Sequence, residues 1–232
     1  MCRTAAQNYG KPPWNRAKLL LPLRAMSYII HASRIAHLTD ARYFAAKEAD
    51  FLGFNLEEGA EGYLDPVFMK AIREWVEGPK IVGEFSRTPA ATVREAAVFF
   101  GLDAVQAPLS AYADDLEILS GIPLLLSIEI DAAGWSAAAG DLLQKAVGAD
   151  CLIFDFSGSG YTQARFYTEK DLWQPLFAQQ PSLLRADLPA GDWPEVLREF
   201  NLAGISMVGG EEEQVGVKSF DEIEAIFEAL GR

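Results

Sequence analysis

The chain has 232 residues, half of them apolar, and a formal charge of −13, which suits one large domain with a sizeable core and excludes a disordered chain. Its longest apolar runs fall far short of a membrane span. Residues 1–25 hold five basic residues and no acidic one, leaving 15 basic and 33 acidic residues in a body of net −18; such a body repels a phosphate backbone and argues against nucleic-acid binding.

The basic leader contains Leu19-Leu20-Leu21-Pro22-Leu23, too short and too broken for a signal-peptide core. Residues 1–25 are therefore read as an extension, disordered or not native, ahead of a functional start at Met26, with the domain at 26–232. A first strand is expected at Tyr28–Ser33 and a helix opening near Asp40 as its N-cap. The second strand, Phe51–Asn55, leads to Asp65-Pro66, a cap residue followed by proline at the first helical position. Lys80–Phe85 is the third strand, and Thr88-Pro89 repeats that device at the third helix. Strands four to eight are expected at Ala104–Ala107, Pro123–Ile130, Cys151–Phe156, about Leu183–Ala186, and Gly204–Val208. The last helix opens with a capping-box pattern, Ser219-Phe220-Asp221-Glu222.

A phrase recurs along this series. Ala49-Asp50-Phe51-Leu52, Leu102-Asp103-Ala104-Val105 and Ala149-Asp150-Cys151-Leu152 each join a helix-period segment to a short apolar run, and Ala203 stands where a fourth Asp would fall. The period is 47 to 53 residues. That length is also compatible with stacked repeats or propeller blades. Strand-like runs alternating with amphipathic segments favour parallel strands with crossover helices. Two βα units per period, four times over, make an α/β protein with a single (β/α)8 TIM barrel.

In such barrels the active site lies at the C-terminal ends of the strands. The candidates there are Ser33, Asn55, Glu84, Gln106, Glu129, Asp155 and Arg185, with the loops that follow. Gly158-Ser159-Gly160 and Gly209-Gly210 could present backbone N–H groups to an anion, or could be turns that need left-handed backbone; Glu211-Glu212-Glu213 follows the second cluster. Asp155, ending an apolar strand, is placed for acid–base work or is a strand-end cap. Glu84, Glu129 and Asp155 together could form an acidic mouth for a metal or a cationic ligand. His31 and His37 bracket the end of the first strand, as a base near neutral pH or as structural hydrogen-bonding groups. Cys2 and Cys151 provide no disulfide framework and no metal-ligand spacing; Cys151 reads as a small buried thiol.

Taken in order, Asp40-Ala41, Glu48-Ala49-Asp50, Gly53-Phe54, Ile81-Val82-Gly83 with Phe85, Asp103-Ala104-Val105-Gln106, Asp155 with Gly158-Ser159-Gly160 and Thr162, and Gly216-Val217-Lys218 resemble the phosphoribosylanthranilate isomerase family of the tryptophan pathway over most of residues 28–230. The resemblance implies a general acid at Asp155 and a sugar-phosphate ligand. It departs where that chemistry lives. The family's general-base Cys is replaced by Ser33, and the Gly after it by Arg34. Gly62 precedes Tyr63 where the family has a carboxylate-binding Arg. Gln-x-His becomes Gln106-Ala107-Pro108, and the phosphate-binding Gly-Gly after strand seven becomes Ala186-Asp187. His31, two residues before Ser33 and on the same side of the strand, is the candidate replacement base.

Three functions stay open at this stage. One is a diverged barrel that has lost the isomerase base and anchors and binds another small molecule. The second is an active isomerase with a rebuilt base. The third is another enzyme using the acidic mouth. The site residues are Asp155, Ser33 and His31 for catalysis and Gln106, Arg185, Gly158, Ser159, Gly160, Gly209 and Gly210 for ligand binding. No cofactor and no resident metal are expected; the partner is a small molecule, a sugar phosphate being one class, and neither nucleic acid nor membrane. The expected location is cytoplasmic, as a monomer or homodimer.

Overall fold

Eight parallel strands close on themselves in sequence order. They are β1 (Ile29–Ser33), β2 (Phe51–Asn55), β3 (Lys80–Glu84), β4 (Ala104–Pro108), β5 (Leu124–Glu129), β6 (Cys151–Asp155), β7 (Ser182–Arg185) and β8 (Gly204–Val208). The computed structural model describes residues 28–146, 148–209, 212–214, 217–218 and 220–232. The extension at 1–25, the start at Met26, and Gly210, Glu211 and Ser219 lie outside the described residues. Helices α1 (Leu38–Ala46), α2 (Pro66–Trp75), α3 (Ala90–Phe100), α4 (Leu109–Tyr112), α5 (Ala137–Lys145), α6 (Gln163–Thr168), α7 (Lys170–Phe177), α8 (Trp193–Glu199) and α9 (Asp221–Ala229) connect the strands or follow the last. The chain is a (β/α)8 barrel, and among the described residues no helix is long and apolar enough to cross a membrane.

The repeated aspartates have a shared structural task. Asp50, Asp103 and Asp150 each precede an even-numbered strand and accept a backbone N–H from the preceding odd strand. The donors are Ile30 at 3.0 Å, Ile81 at 2.8 Å and Leu124 at 3.0 Å. A carboxylate at the lower rim thus pairs a strand N–H at a place where the ladder is incomplete. That is why the phrase returns once per two βα units. Gly204 closes the ring: a Cβ there would fall 1.9 Å from the Ile29 carbonyl oxygen, so β8 approaches β1 only without a side chain.

Strand alternation divides the core in two. Phe51, Val82, Ala104, Leu125, Cys151, Ile153 and Leu183 form an apolar plug inside the barrel. Their neighbours, such as Leu52, Val105, Leu152 and Leu184, face the helices. Around β6 that outer layer is aromatic. Phe156 lies 4.7 Å from Tyr161 and 5.0 Å from Trp173, ring centre to ring centre, and this fixes the start of the loop after Asp155.

Differences from the sequence expectation are local. Helix α1 starts at Leu38 with His37 as N-cap and no side-chain cap bond; Asp40 sits buried in its first turn. Asp65 caps α2 as expected, accepting from Val67 and Phe68 N–H at 2.7 and 2.9 Å. Thr88-Pro89 does not repeat that device: Pro89 itself is the N-cap of α3 and lacks a side-chain acceptor. A short antiparallel pair, β9 (Glu212–Gln214) with β10 (Val217–Lys218), stands between β8 and α9; nothing in the strand pattern of the sequence announced it.

Candidate functional site

The same alternation that builds the plug carries polar side chains onto the inner wall above it. His31 and Ser33 come from β1, Glu84 from β3, Gln106 from β4, Asp155 from β6, Arg185 from β7 and Ser206 from β8. His31, Ser33, Glu84, Arg185 and Ser206 are all buried. Burying so many polar groups is unfavourable unless they pair, and they pair mainly with one another.

Glu84 organises the β1 side. Its Oε1 accepts from the Ser33 hydroxyl at 2.7 Å, and Arg34 N–H reaches both carboxyl oxygens at 3.2 Å. To do so the side chain crosses above β2, and it can because residue 53 is glycine: a Cβ there would lie 2.0 Å from Glu84 Oε1. Burial pushes the Glu84 carboxyl above its ordinary value, against the opposing pull of the Ser33 hydrogen bond and of Arg185. Arg34 holds left-handed backbone, φ 53°, at the position where the resembled family carries glycine.

Arg185 organises the opposite side. Its Nη1 donates to Asp155 Oδ2 at 2.9 Å, and its Nε and Nη2 both donate to Ser206 Oγ, at 3.2 and 2.8 Å. Two donors fill both lone pairs of that hydroxyl, so the Ser206 proton points to His31 Nδ1, 2.9 Å away. His31 is therefore the Nε2–H tautomer. Burial, then the Arg185 charge, lowers its pKa to about 3, which keeps the ring neutral. Nε2 has no partner and stands 4.0 Å from Glu84 Oε1.

The loops above are also internally engaged. Asp155 Oδ1 accepts from Ser157 N–H at 3.0 Å, and Asp187 Oδ2 accepts from Gly158 N–H at 2.7 Å. Ser159 N–H goes to the Phe156 carbonyl at 3.0 Å, and Gly209 N–H to the Ser33 carbonyl at 3.2 Å. Gly158 and Gly160 have φ of 68° and 72°, so both meet a conformational need of the turn. Gly210 lies outside the described residues.

The structure thus brings His31, Ser33, Asp155 and Arg185 into one barrel mouth, with Gln106 beside Glu84 in register. It does not assemble the acidic triad as a metal centre. Glu84 and Asp155 are tied to different partners, Glu129 is exposed, and among the described residues no group of three His, Cys, Asp or Glu side chains could hold a metal. His37 lies in the connection to α1, outside the network. Sequence reasoning missed Ser206, the junction between His31 and Arg185. Its signal was a lone hydroxyl between Ile205 and Met207 in an otherwise apolar strand.

No protein-family model matches the chain, and no curated protein matches it in sequence. Solved structures match its fold. Phosphoribosyl anthranilate isomerase from Thermus thermophilus superposes with TM-score 0.65 at 22% identity, over 88% of this chain and 98% of that one. TrpF from Jonesia denitrificans does so with TM-score 0.68 at 19% identity, over 88% and 97%. A phosphoribosyl anthranilate isomerase in complex with reduced 1-(o-carboxyphenylamino)-1-deoxyribulose 5-phosphate matches with TM-score 0.66 at 17% identity, over 89% and 100%. The chain has the fold of these isomerases.

Proposed function

We propose that this barrel has left the isomerase reaction and binds a small polar ligand that carries no phosphate. The observation that carries this is Asp187, whose carboxylate already accepts the Gly158 N–H. A loop that could receive a phosphate oxygen instead holds the protein's own anion, and a phosphate there would meet like charge. Other engaged groups support the same reading. Ser33, at the position of the family's base, is a donor to Glu84. Asp155, at the position of its acid, is engaged by Arg185, whose Nη1 donates to its Oδ2. The solved complex contains a ligand with both a carboxyl and a phosphate group; in this chain Gly62 and Asp187 stand where that family's anion anchors fall.

Turnover of phosphoribosylanthranilate tests this directly. The purified chain is expected to show none, and Asp155→Ala is expected to be indistinguishable from it. Turnover that Asp155→Ala abolishes would overturn the proposal. It would favour the second reading, an isomerase with a rebuilt base. That reading has its own observation: Glu84, with its raised pKa, lies 2.7 Å from Ser33 Oγ and is better placed to take a proton than His31, whose pKa is lowered to about 3.

A further inference from the structure

Helices α2 and α3 hold large apolar side chains out in solvent. Trp75, the last residue of α2, is 65% exposed, and Phe99, in the last turn of α3, is 74% exposed. Val98 on α3 and Ile118, in the segment before β5, are exposed as well. Hydrogen bonds join the elements that carry them. Arg73 of α2 donates to the Gly101 carbonyl at the C-cap of α3, and Arg94 Nη1 of α3 donates to the Ile118 and Ser120 carbonyls, each at 2.8 Å. The Phe99 ring meets Phe100 edge-on at 5.0 Å, and Phe100 packs on the core, so the exposed ring is braced.

Single exposed hydrophobes are ordinary, whereas exposed aromatics on adjacent, cross-linked helices make a surface suited to a partner. Aromatic side chains with arginines beside them are the composition enriched at interface centres. The four apolar side chains offer roughly 400 Å², close to the apolar half of the about 800 Å² that a standard interface takes from each copy. Charge selects the partner. On α2, α3 and the turn after α2 the exposed charges balance, Lys70, Arg73 and Arg94 against Glu74, Glu77 and Glu95, in a body of net −18. Two copies that meet on this neutral face keep their acidic remainders apart, while a contact through those remainders brings like charge together. A basic segment such as residues 1–25 is drawn to the acidic remainder instead.

We infer that the outer face of α2 and α3 is where two copies of this chain associate, as a two-fold dimer with Trp75 and Phe99 in the contact. The surface meets itself across the axis, so each exposed charge can face its opposite in the other copy. Trp75 and Phe99 lie toward the lower rim, and the barrel mouth stays open.

The test is sedimentation velocity of the full chain over a concentration series. A species of twice the 25.4 kDa chain mass is expected at the higher concentrations. Added salt should strengthen it, because salt screens the acidic bodies and leaves the apolar contact. Trp75→Lys and Phe99→Lys should each raise the dissociation constant about tenfold or more, with far-UV circular dichroism unchanged because neither side chain is in the core. Leu172→Lys, on α7, should leave association as it was. A monomer at every concentration overturns the inference. A dimer that Trp75→Lys and Phe99→Lys leave unchanged overturns the assigned face. A dimer that salt dissolves points to residues 1–25 of one copy on the acidic body of another, which overturns it too. Assemblies that grow beyond two copies overturn the two-fold arrangement.

Discussion

Below Gly53 the inner wall of the barrel is apolar, and above it the same strands with the same alternation carry acids, bases and hydroxyls. The two levels are equally buried: Phe51, Val82 and Leu183 below, His31, Ser33 and Ser206 above. Below, packing alone suffices. Burial raises the Cys151 thiol far above its ordinary value, so it behaves as a small hydrophobe. Above, every buried group needs a partner, and the pairs cross strands that are distant in sequence. The lower level holds the barrel closed, while the upper level holds chemistry at a cost in stability.

The largest effects should separate the two levels. Phe51→Ala removes packing from the plug and should cost about 3–5 kcal/mol in chemical denaturation. Arg185→Met strands the Asp155 carboxylate and should cost about 3 kcal/mol, the lower end for a buried pair because Asp155 keeps some exposure. The levels should then differ in rescue. Asp155→Leu added to Arg185→Met should recover much of the loss, since replacing both partners of a buried pair by apolar groups is close to neutral. A rescue no better than additive would mean that the ion pair contributes to stability as the plug does.

Of these two levels, acid should act on the upper one. The folded-state pKa of His31 lies below its ordinary 6.5, at about 3. As pH falls through that window the unfolded chain takes up a proton that the native state refuses, and stability drops, by at most about 1.4 kcal/mol per pH unit. Glu84 works in the opposite sense. Its pKa is raised, so the native state binds a proton first, and stability falls as pH rises from 4.5 through the raised value. His31→Gln should flatten the loss between pH 6.5 and 3, and Glu84→Gln should remove the loss above 4.5. Unchanged pH profiles in both variants would remove these two groups from the linkage.

Gly53 marks the border between the levels. Gly53→Ala should displace the Glu84 carboxyl and break its bonds to Ser33 and Arg34, at about 1–3 kcal/mol. In a Glu84→Ala background the same methyl meets no carboxylate and keeps only the 3.1 Å approach to His31 Nε2, so its added cost should fall to about 1 kcal/mol or less. Equal costs in the two backgrounds would mean that the glycine serves the backbone of β2 and not the passage of Glu84.

What the sequence disclosed follows the same border. The barrel was legible because its signals are local or periodic: apolar strands, helix-length spacers, and an Asp at 50, 103 and 150 that pairs a strand N–H. Strand-end residues such as Asp155 and Arg185 could be placed at the mouth by alternation alone. Their pairing could not, because Asp155 and Arg185 are 30 residues apart and Ser33 and Glu84 are 51 apart. Glu84 was legible as one acid among three. Its central part depends on the missing side chain of Gly53, and an absent side chain on the neighbouring strand leaves no pattern. Asp40 misled for a related reason: a good cap residue by type, it is buried in the first turn of α1 facing Gly209, whose Cβ position lies 3.5 Å from Asp40 Oδ2.

The smallest expected effect tests whether the mouth holds strain as well as charge. Arg34 occupies left-handed backbone at φ 53°, which disfavours a residue with a Cβ by roughly 1–2 kcal/mol. Its side chain is exposed, and its main contribution to the network is the backbone N–H that reaches Glu84, with a smaller one from its charge. Arg34→Gly keeps that N–H and relieves the strain, while the greater freedom of glycine in the unfolded chain takes back about 0.5–1 kcal/mol. A net stabilisation of up to about 1 kcal/mol is expected in chemical denaturation. Gly204→Ala is the matching change at the lower rim and should go the other way, because that glycine supplies space against the Ile29 backbone and not a backbone angle. A destabilised Arg34→Gly would show that the guanidinium acts at the mouth in its own right, and it would join Arg185 as a charge the ligand must meet.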